Sequence, residues 1–160
     1  MWIGLRERRE KFDGKELSLF ATLSKLKLNG ATQEQIDQYL SQIDVIWIKD
    51  GKPYYAIEVE YSTAVSEAFN RCSNLPTTGQ EIQRVIIIPK ETERMVQRKL
   101  QSTLLKERME QDQWKFIYLT SLQSSIWRAN QAGQLNPTFW HRPRISVMKW
   151  VRVTTIHNHP

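Results

Sequence analysis

Ile43-Asp44-Val45-Ile46-Trp47-Ile48 and Tyr54-Tyr55-Ala56-Ile57-Glu58-Val59-Glu60-Tyr61 flank, through Lys49 and Pro53, the tripeptide Asp50-Gly51-Lys52. Both arms are rich in β-branched and aromatic residues, and Asp-Gly between them is a turn signal. The stretch therefore reads as two strands joined by a tight hairpin loop. Residues two apart in a strand share a face, so Glu58 and Glu60 point the same way, alongside Ala56. Register decides whether Asp44 joins them. A three-residue loop opposes Lys49 with Pro53, Ile48 with Tyr54, Ile46 with Ala56 and Asp44 with Glu58, and opposed residues have Cβ atoms about 4.5–5.5 Å apart. A two-residue Asp50-Gly51 turn opposes Asp44 with Ile57 and takes it off that face. The expectation is the three-residue loop, with Asp44, Glu58 and Glu60 together.

Three carboxylates on one covered face repel one another unless a positive group lies between them, and left alone some should hold protons. A divalent cation with oxygen ligands removes the conflict. Mg²⁺ typically takes one or two carboxylates together with water and substrate phosphate. Such an ion polarises a phosphoryl oxygen and lowers the pKa of bound water, which is the chemistry of phosphodiester hydrolysis. The competing reading is that nearby bases pair with the acids, Arg71 first, then Lys49 or Arg84. The acids stand in strands that are otherwise apolar, where an ionised group is most unfavourable, and this favours a site. Open, converging carboxylates in the folded chain would favour an enzyme. A guanidinium or ammonium filling the space between them would favour a binding module.

Working outward, Lys15 to Lys25 carries Leu17, Phe20 and Leu23 at helical spacing and predicts a first helix, stopped at Asn29-Gly30. Thr32 with Gln35 three residues on predicts a capping box, with Ile36, Tyr39 and Leu40 on the inner face. After the hairpin, Ser62 or Thr63 caps a helix that turns Val65, Ala68, Phe69 and Cys72 inward. Arg84 to Ile88 is almost wholly apolar, as in a strand buried on both faces. A long helix is expected from about Glu91 to Glu110, with Val96, Leu100 and Leu104 inward, then a strand at Lys115 to Leu119. Later signals are weaker: a short helix near Leu122 to Trp127, a loop through Pro137 and a strand over Ile145 to Val153. The order of elements predicts an α/β fold, a mixed central sheet with helices on both faces. A core over residues 1–120 and a basic, aromatic extension over residues 121–160 are the expected divisions. No convincing strand precedes the hairpin; Met1 to Gly4 and Leu26 to Leu28 are the candidates.

The net charge of +6 over 160 residues is unevenly placed. Met1 to Asp112 holds 17 basic and 17 acidic residues, whereas the remainder holds six bases and no acid. Arg142, Arg144, Lys149 and Arg152 are among those six, interleaved with Trp140 and Trp150. Such a stretch suits a nucleic acid, and a solvated tail is the alternative. No apolar run approaches the roughly 20 residues of a membrane span, and the early charges do not fit a signal peptide. Cys72 is the only cysteine, so no internal disulfide is available and a reducing, cytoplasmic setting is expected.

Asp44 on one strand, Glu58-Val59-Glu60 on the next and a helix immediately after resemble the PD-(D/E)XK, or restriction-endonuclease-like, nuclease superfamily. Ala56 to Thr63 followed by Arg71-Cys72-Ser73-Asn74 is similar to such domains found alone or attached to DNA methyltransferases, and the similarity spans roughly Trp2 to Leu119. The resemblance implies a Mg²⁺- or Mn²⁺-dependent DNA endonuclease of a restriction-modification or DNA-processing system, with Asp44 and Glu58 as metal ligands. Glu60 stands where the family usually has lysine, which leaves open whether it acts on water or marks an inactive, DNA-binding or partner-binding relative. Some members recruit a further acid from the first helix, and Glu16 is the acid expected there. Arg71 joins the C-terminal bases as an expected DNA contact. A homodimer and an associated methyltransferase are the expected partners besides DNA, with no membrane.

Overall fold

In the computed structural model, residues 1–61, 64–76, 82–101, 105, 107, 109, 112 and 114–132 are described. The fold is α/β, with a mixed five-stranded sheet flanked by helices. Its strands are β1 (Trp2–Ile3), β4 (Val45–Lys49), β5 (Lys52–Val59), β6 (Gln83–Ile88) and β7 (Trp114–Tyr118), in the spatial order β1-β4-β5-β6-β7. β1, β4 and β5 pair antiparallel with one another in that order, and β5, β6 and β7 are parallel. The missing first strand is therefore Trp2–Ile3, paired with Ile46 and Val45. A separate two-stranded ribbon, β2 (Lys11–Phe12) and β3 (Lys15–Glu16), lies outside this sheet.

Four helices complete the described fold: α1 (Gln33–Gln38), α2 (Val65–Ser73), α3 (Glu93–Leu100) and α4 (Leu119–Gln131). The capping box forms as expected. Gln35 N–H donates to Thr32 Oγ1 and Thr32 N–H donates to Gln35 Oε1. Ile46 and Ala56 pack with Ile36, Leu40 and Cys72, while Ile86, Ile88 and Phe116 pack with Val65, Phe69, Val96 and Leu100. On the opposite face Tyr55, Ile57, Val85, Ile87 and Ile117 meet Leu122 and Ala129 of α4. Both faces of the central strands are covered, which is why Val85 to Ile88 of β6 reads as an apolar run.

The first expected helix does not form. Lys15–Glu16 is a strand, Leu17–Phe20 a single 3₁₀ turn, and Ala21 onward is irregular. Tertiary bonds claim the backbone instead. Thr22 N–H donates to Met1 O, and the Arg8 guanidinium takes the carbonyls of Leu23 at 2.8 Å, Ser24 at 3.3 Å and Ile3 at 3.0 Å. The same group lies 4.0 Å above the Trp2 ring. Such bonds outweigh helix propensity, which is worth only tenths of a kcal/mol per residue.

The hairpin also departs from expectation. Lys49 pairs with Lys52 and Ile48 with Pro53, so the loop is the two-residue turn Asp50-Gly51, both at positive φ (53° and 73°). This is the turn whose twist matches the strands. Tyr54 is then an extra residue on β5, a bulge, after which Trp47 faces Tyr55, Ile46 faces Ala56 and Val45 faces Ile57. The bulge restores, at the Asp44 end, the register that the longer loop was expected to set.

The long helix after β6 is a 3₁₀ turn followed by α3, with Val96 and Leu100 buried as expected. Leu104, the loop through Pro137, the strand expected over Ile145 to Val153, and Ser62 and Thr63 lie outside the described residues. Among the described residues no helix is long and apolar enough to cross a membrane.

Arg8→Ala is expected to lower stability by about 2–3 kcal/mol, because charge-assisted bonds and a ring contact go together. Arg8→Lys should recover only a minor part, since an ammonium cannot reach carbonyls on two segments at once. Urea unfolding of the two variants measures this.

Candidate functional site

Glu58 sits on β5, the central strand, two residues beyond Ala56, and therefore on the face that α2 covers. It is 1% exposed. Arg71, nearly two turns along α2, reaches down to it: Nε donates to Oε1 at 2.7 Å and Nη2 to Oε2 at 3.0 Å. This is a fork-to-fork pair, the strongest geometry the two groups can adopt. The inward face of α2, with Val65, Ala68, Phe69 and Cys72 all buried, fixes the rotation that points Arg71 at the sheet.

Asp44 immediately precedes β4. Its Oδ2 accepts the Val59 N–H at 2.7 Å, and its own carbonyl accepts Gly4 N–H at 2.8 Å. Its carboxyl lies near enough to those of Glu58 and Glu7 for each to alter the others' hold on a proton. Glu7, on the 3₁₀ turn Glu7–Arg9, is an acid the sequence reading missed. No strand or helix period marks it, and only the pairing of Trp2–Ile3 with β4 carries it to Asp44. Glu7 Oε2 is buried without a hydrogen-bond partner. Gly4 makes the space: a Cβ there would run into that oxygen and come within 2.8 Å of Ile43 O.

Burial pushes the Glu7, Asp44 and Glu58 carboxyls upward, and their mutual charges add to the rise at Glu7 and Glu58. Arg6 partly offsets this at Glu7, and the Val59 N–H and Arg71 partly offset it at Asp44. Glu58 is pushed up to about 8, chiefly by loss of water, with Arg71 pulling the other way. Arg71 in turn is held more firmly protonated by its bonds to Glu58. The two partners thus pull on the Glu58 proton in opposite directions. Burial prevails, because the central-strand position removes nearly all solvent from Glu58.

The remaining expected site residues are placed differently. Glu60 lies just past β5, half-buried, its N–H donating to Ile87 O at 2.8 Å. The other three acids are shifted chiefly by burial, then by one another, Arg6, Arg71 and backbone groups. Glu16 is exposed on β3 and accepts from Ser18 Oγ, whereas Glu7 is the further acid whose charge acts on Asp44. Lys49 is at the turn end of the hairpin, away from Asp44. Arg84 is buried against Cys72 O and Asp112. Arg142, Arg144, Lys149 and Arg152 lie outside the described residues. Among the described residues, no three His, Cys, Asp or Glu side chains are grouped so as to hold an ion.

A five-stranded mixed sheet with acids on its central and adjoining strands, covered by helices, defines a protein of restriction-endonuclease-like architecture. Residues 1–139 match the family described as the type II restriction enzyme NmeDI C-terminal domain, and the chain belongs to that family. No curated protein and no solved structure matches it.

Two outcomes follow from this geometry. Arg71→Met strands Glu58 in the sheet without its guanidinium and is expected to remove about 3 kcal/mol of stability, part of which Glu58→Gln in the same chain restores. The second concerns pH. The Glu58 proton is held more tightly folded (about 8) than unfolded (4.5), so its stabilisation is full below pH 4.5 and is lost as pH rises through 8. Stability should fall across this window by up to about 1.4 kcal/mol per pH unit. Urea midpoints of Glu58→Gln should follow a shallower slope than wild type.

Proposed function

We propose that the chain is a Mg²⁺-dependent DNA endonuclease of a restriction-modification system. The carrying observation is the Glu7–Asp44 contact: two carboxyls pressed together under partial burial, one with an orphaned oxygen, while Arg71 serves Glu58. A cation between Glu7 and Asp44 would supply the missing counter-charge. Two carboxylates with water and a substrate phosphate are a sufficient ligand set for Mg²⁺, which prefers few protein ligands. The donors are all hard oxygen atoms, which suits Mg²⁺ or Mn²⁺ and not a softer metal.

When bound, the ion would supply Lewis-acid activation of a phosphate oxygen and a water of lowered pKa. The chain's own contributions can be derived separately. Val59 N–H holds Asp44 in one orientation. Gly4 leaves room for Glu7 Oε2. Arg71 holds Glu58 by both carboxyl oxygens. Arg71 places a permanent positive charge beside the acids, where it can meet a phosphate that approaches the same end of the sheet. Glu60, in the position of the family's lysine, is half-buried two residues beyond Glu58 on the same chain segment.

Arg71 also favours a second reading. Glu58 is closed to solvent and both its oxygens are engaged, as expected of a nuclease-derived module that holds DNA without cutting. Supercoiled plasmid with Mg²⁺ or Mn²⁺ separates the readings. The endonuclease reading expects metal-dependent nicking or linearisation, reduced at least a hundredfold by Asp44→Asn and by Glu7→Gln. DNA retarded on a gel but uncut with either metal would overturn catalysis and establish the binding module.

A further inference from the structure

We propose that the β2–β3 ribbon is the element that reads DNA sequence, entering the major groove beside the acid cluster. The inference rests on DNA being the substrate. Every residue from Lys11 to Glu16 is exposed, and Phe12 is 69% exposed. A free-standing two-stranded hairpin is marginally stable in water, so this one depends on its base. Leu17 N–H donates to Glu10 O at 2.8 Å, and Arg8, four bonded contacts deep in the N-terminal segment, holds the preceding turn. At the tip, Asp13 and Gly14 take positive φ (50° and 71°), and a Cβ on Gly14 would meet nothing within 4 Å. The ribbon is a rigidly rooted, open-ended projection.

Its place and size fit a groove. Lys11 follows Glu7 by four residues, so the ribbon's base lies within about 14 Å of the acids. From Lys11 to Asp13 it extends about 7 Å, against the roughly 8.5 Å depth of the major groove, which admits a two-stranded β-ribbon. Its chemistry is that of base edges more than of phosphate tracking. Phe12 and Lys15 face one way, Lys11 and Glu16 the other, with Asp13 at the tip. Lysine suits guanine acceptors, a carboxylate suits the cytosine amino group, and an apolar ring suits the thymine methyl. Exposed Arg6 and Arg9 precede the ribbon in the chain and would complement backbone phosphates near its base.

The test uses the full chain and a pool of duplexes with a randomised core, bound in Ca²⁺ so that no cutting intervenes, then recovered from retarded bands and sequenced. Wild type should enrich a defined sequence. Phe12→Ala/Lys15→Ala and Asp13→Asn, all at exposed positions, should keep wild-type unfolding midpoints and bind the pool within about threefold, yet lose about tenfold or more of the enrichment. Unchanged enrichment in both variants overturns the proposal. So does a variant that shifts the sedimentation of the free protein, which would make the ribbon a contact between protein chains. A wild type that retards the pool without enriching any sequence overturns the ribbon's role and leaves the DNA reading intact. A wild type that retards no DNA overturns both.

Discussion

A carboxylate in the middle strand of a covered sheet is the constraint around which this molecule is arranged. Glu58 has almost no solvent and cannot leave its face without shifting every residue of β5 to the wrong side. Only a cation or a proton makes its position tolerable. Arg71 supplies the cation, and to do so α2 must lie across β5 in one rotation, which its four buried residues enforce. The ion pair and the apolar packing of α2 thus specify the same geometry. Asp44 joins through the Val59 N–H, at the point where β5 stops pairing with β4.

Much of this was legible in the sequence, and the losses have identifiable causes. Strong local chemistry was readable: the Thr32–Gln35 box, the inward face of α2, the apolar β6 and the two arms of the hairpin. The turn was misread because Asp50-Gly51-Lys52 serves either loop length, and the bulge at Tyr54 leaves no mark in an alternating pattern of aromatic and apolar residues. Asp44 still meets Glu58, because two departures from expectation cancel over two residues. The Leu17–Leu23 periodicity was real, but its backbone groups are taken by Met1 and Arg8, partners distant in sequence. Glu7 was invisible for the same reason: its role follows from a strand of two residues and the missing side chain at Gly4.

The site has two halves of unlike character. One is complete in itself, with Glu58, Arg71 and the Val59 N–H each bonded. The other, Glu7 against Asp44, has excess negative charge and an acceptor with nothing to accept. On the reading proposed above, a positive charge and an acid pair side by side would suit a polyanionic substrate brought with its counter-ion.

The N-terminal segment carries a further consequence. Glu7 is tied to the sheet by a strand of only two residues, the Gly4 and Leu5 amides and the Arg8 clamp. Segments held by few bonds open independently of the global transition. If this one peels away, it withdraws one acid and the projecting ribbon in a single motion, while β4 to β7 and the Glu58–Arg71 pair remain closed. In such an opened form the acid pair and the exposed ribbon would be lost in the same event, with the rest of the sheet still folded.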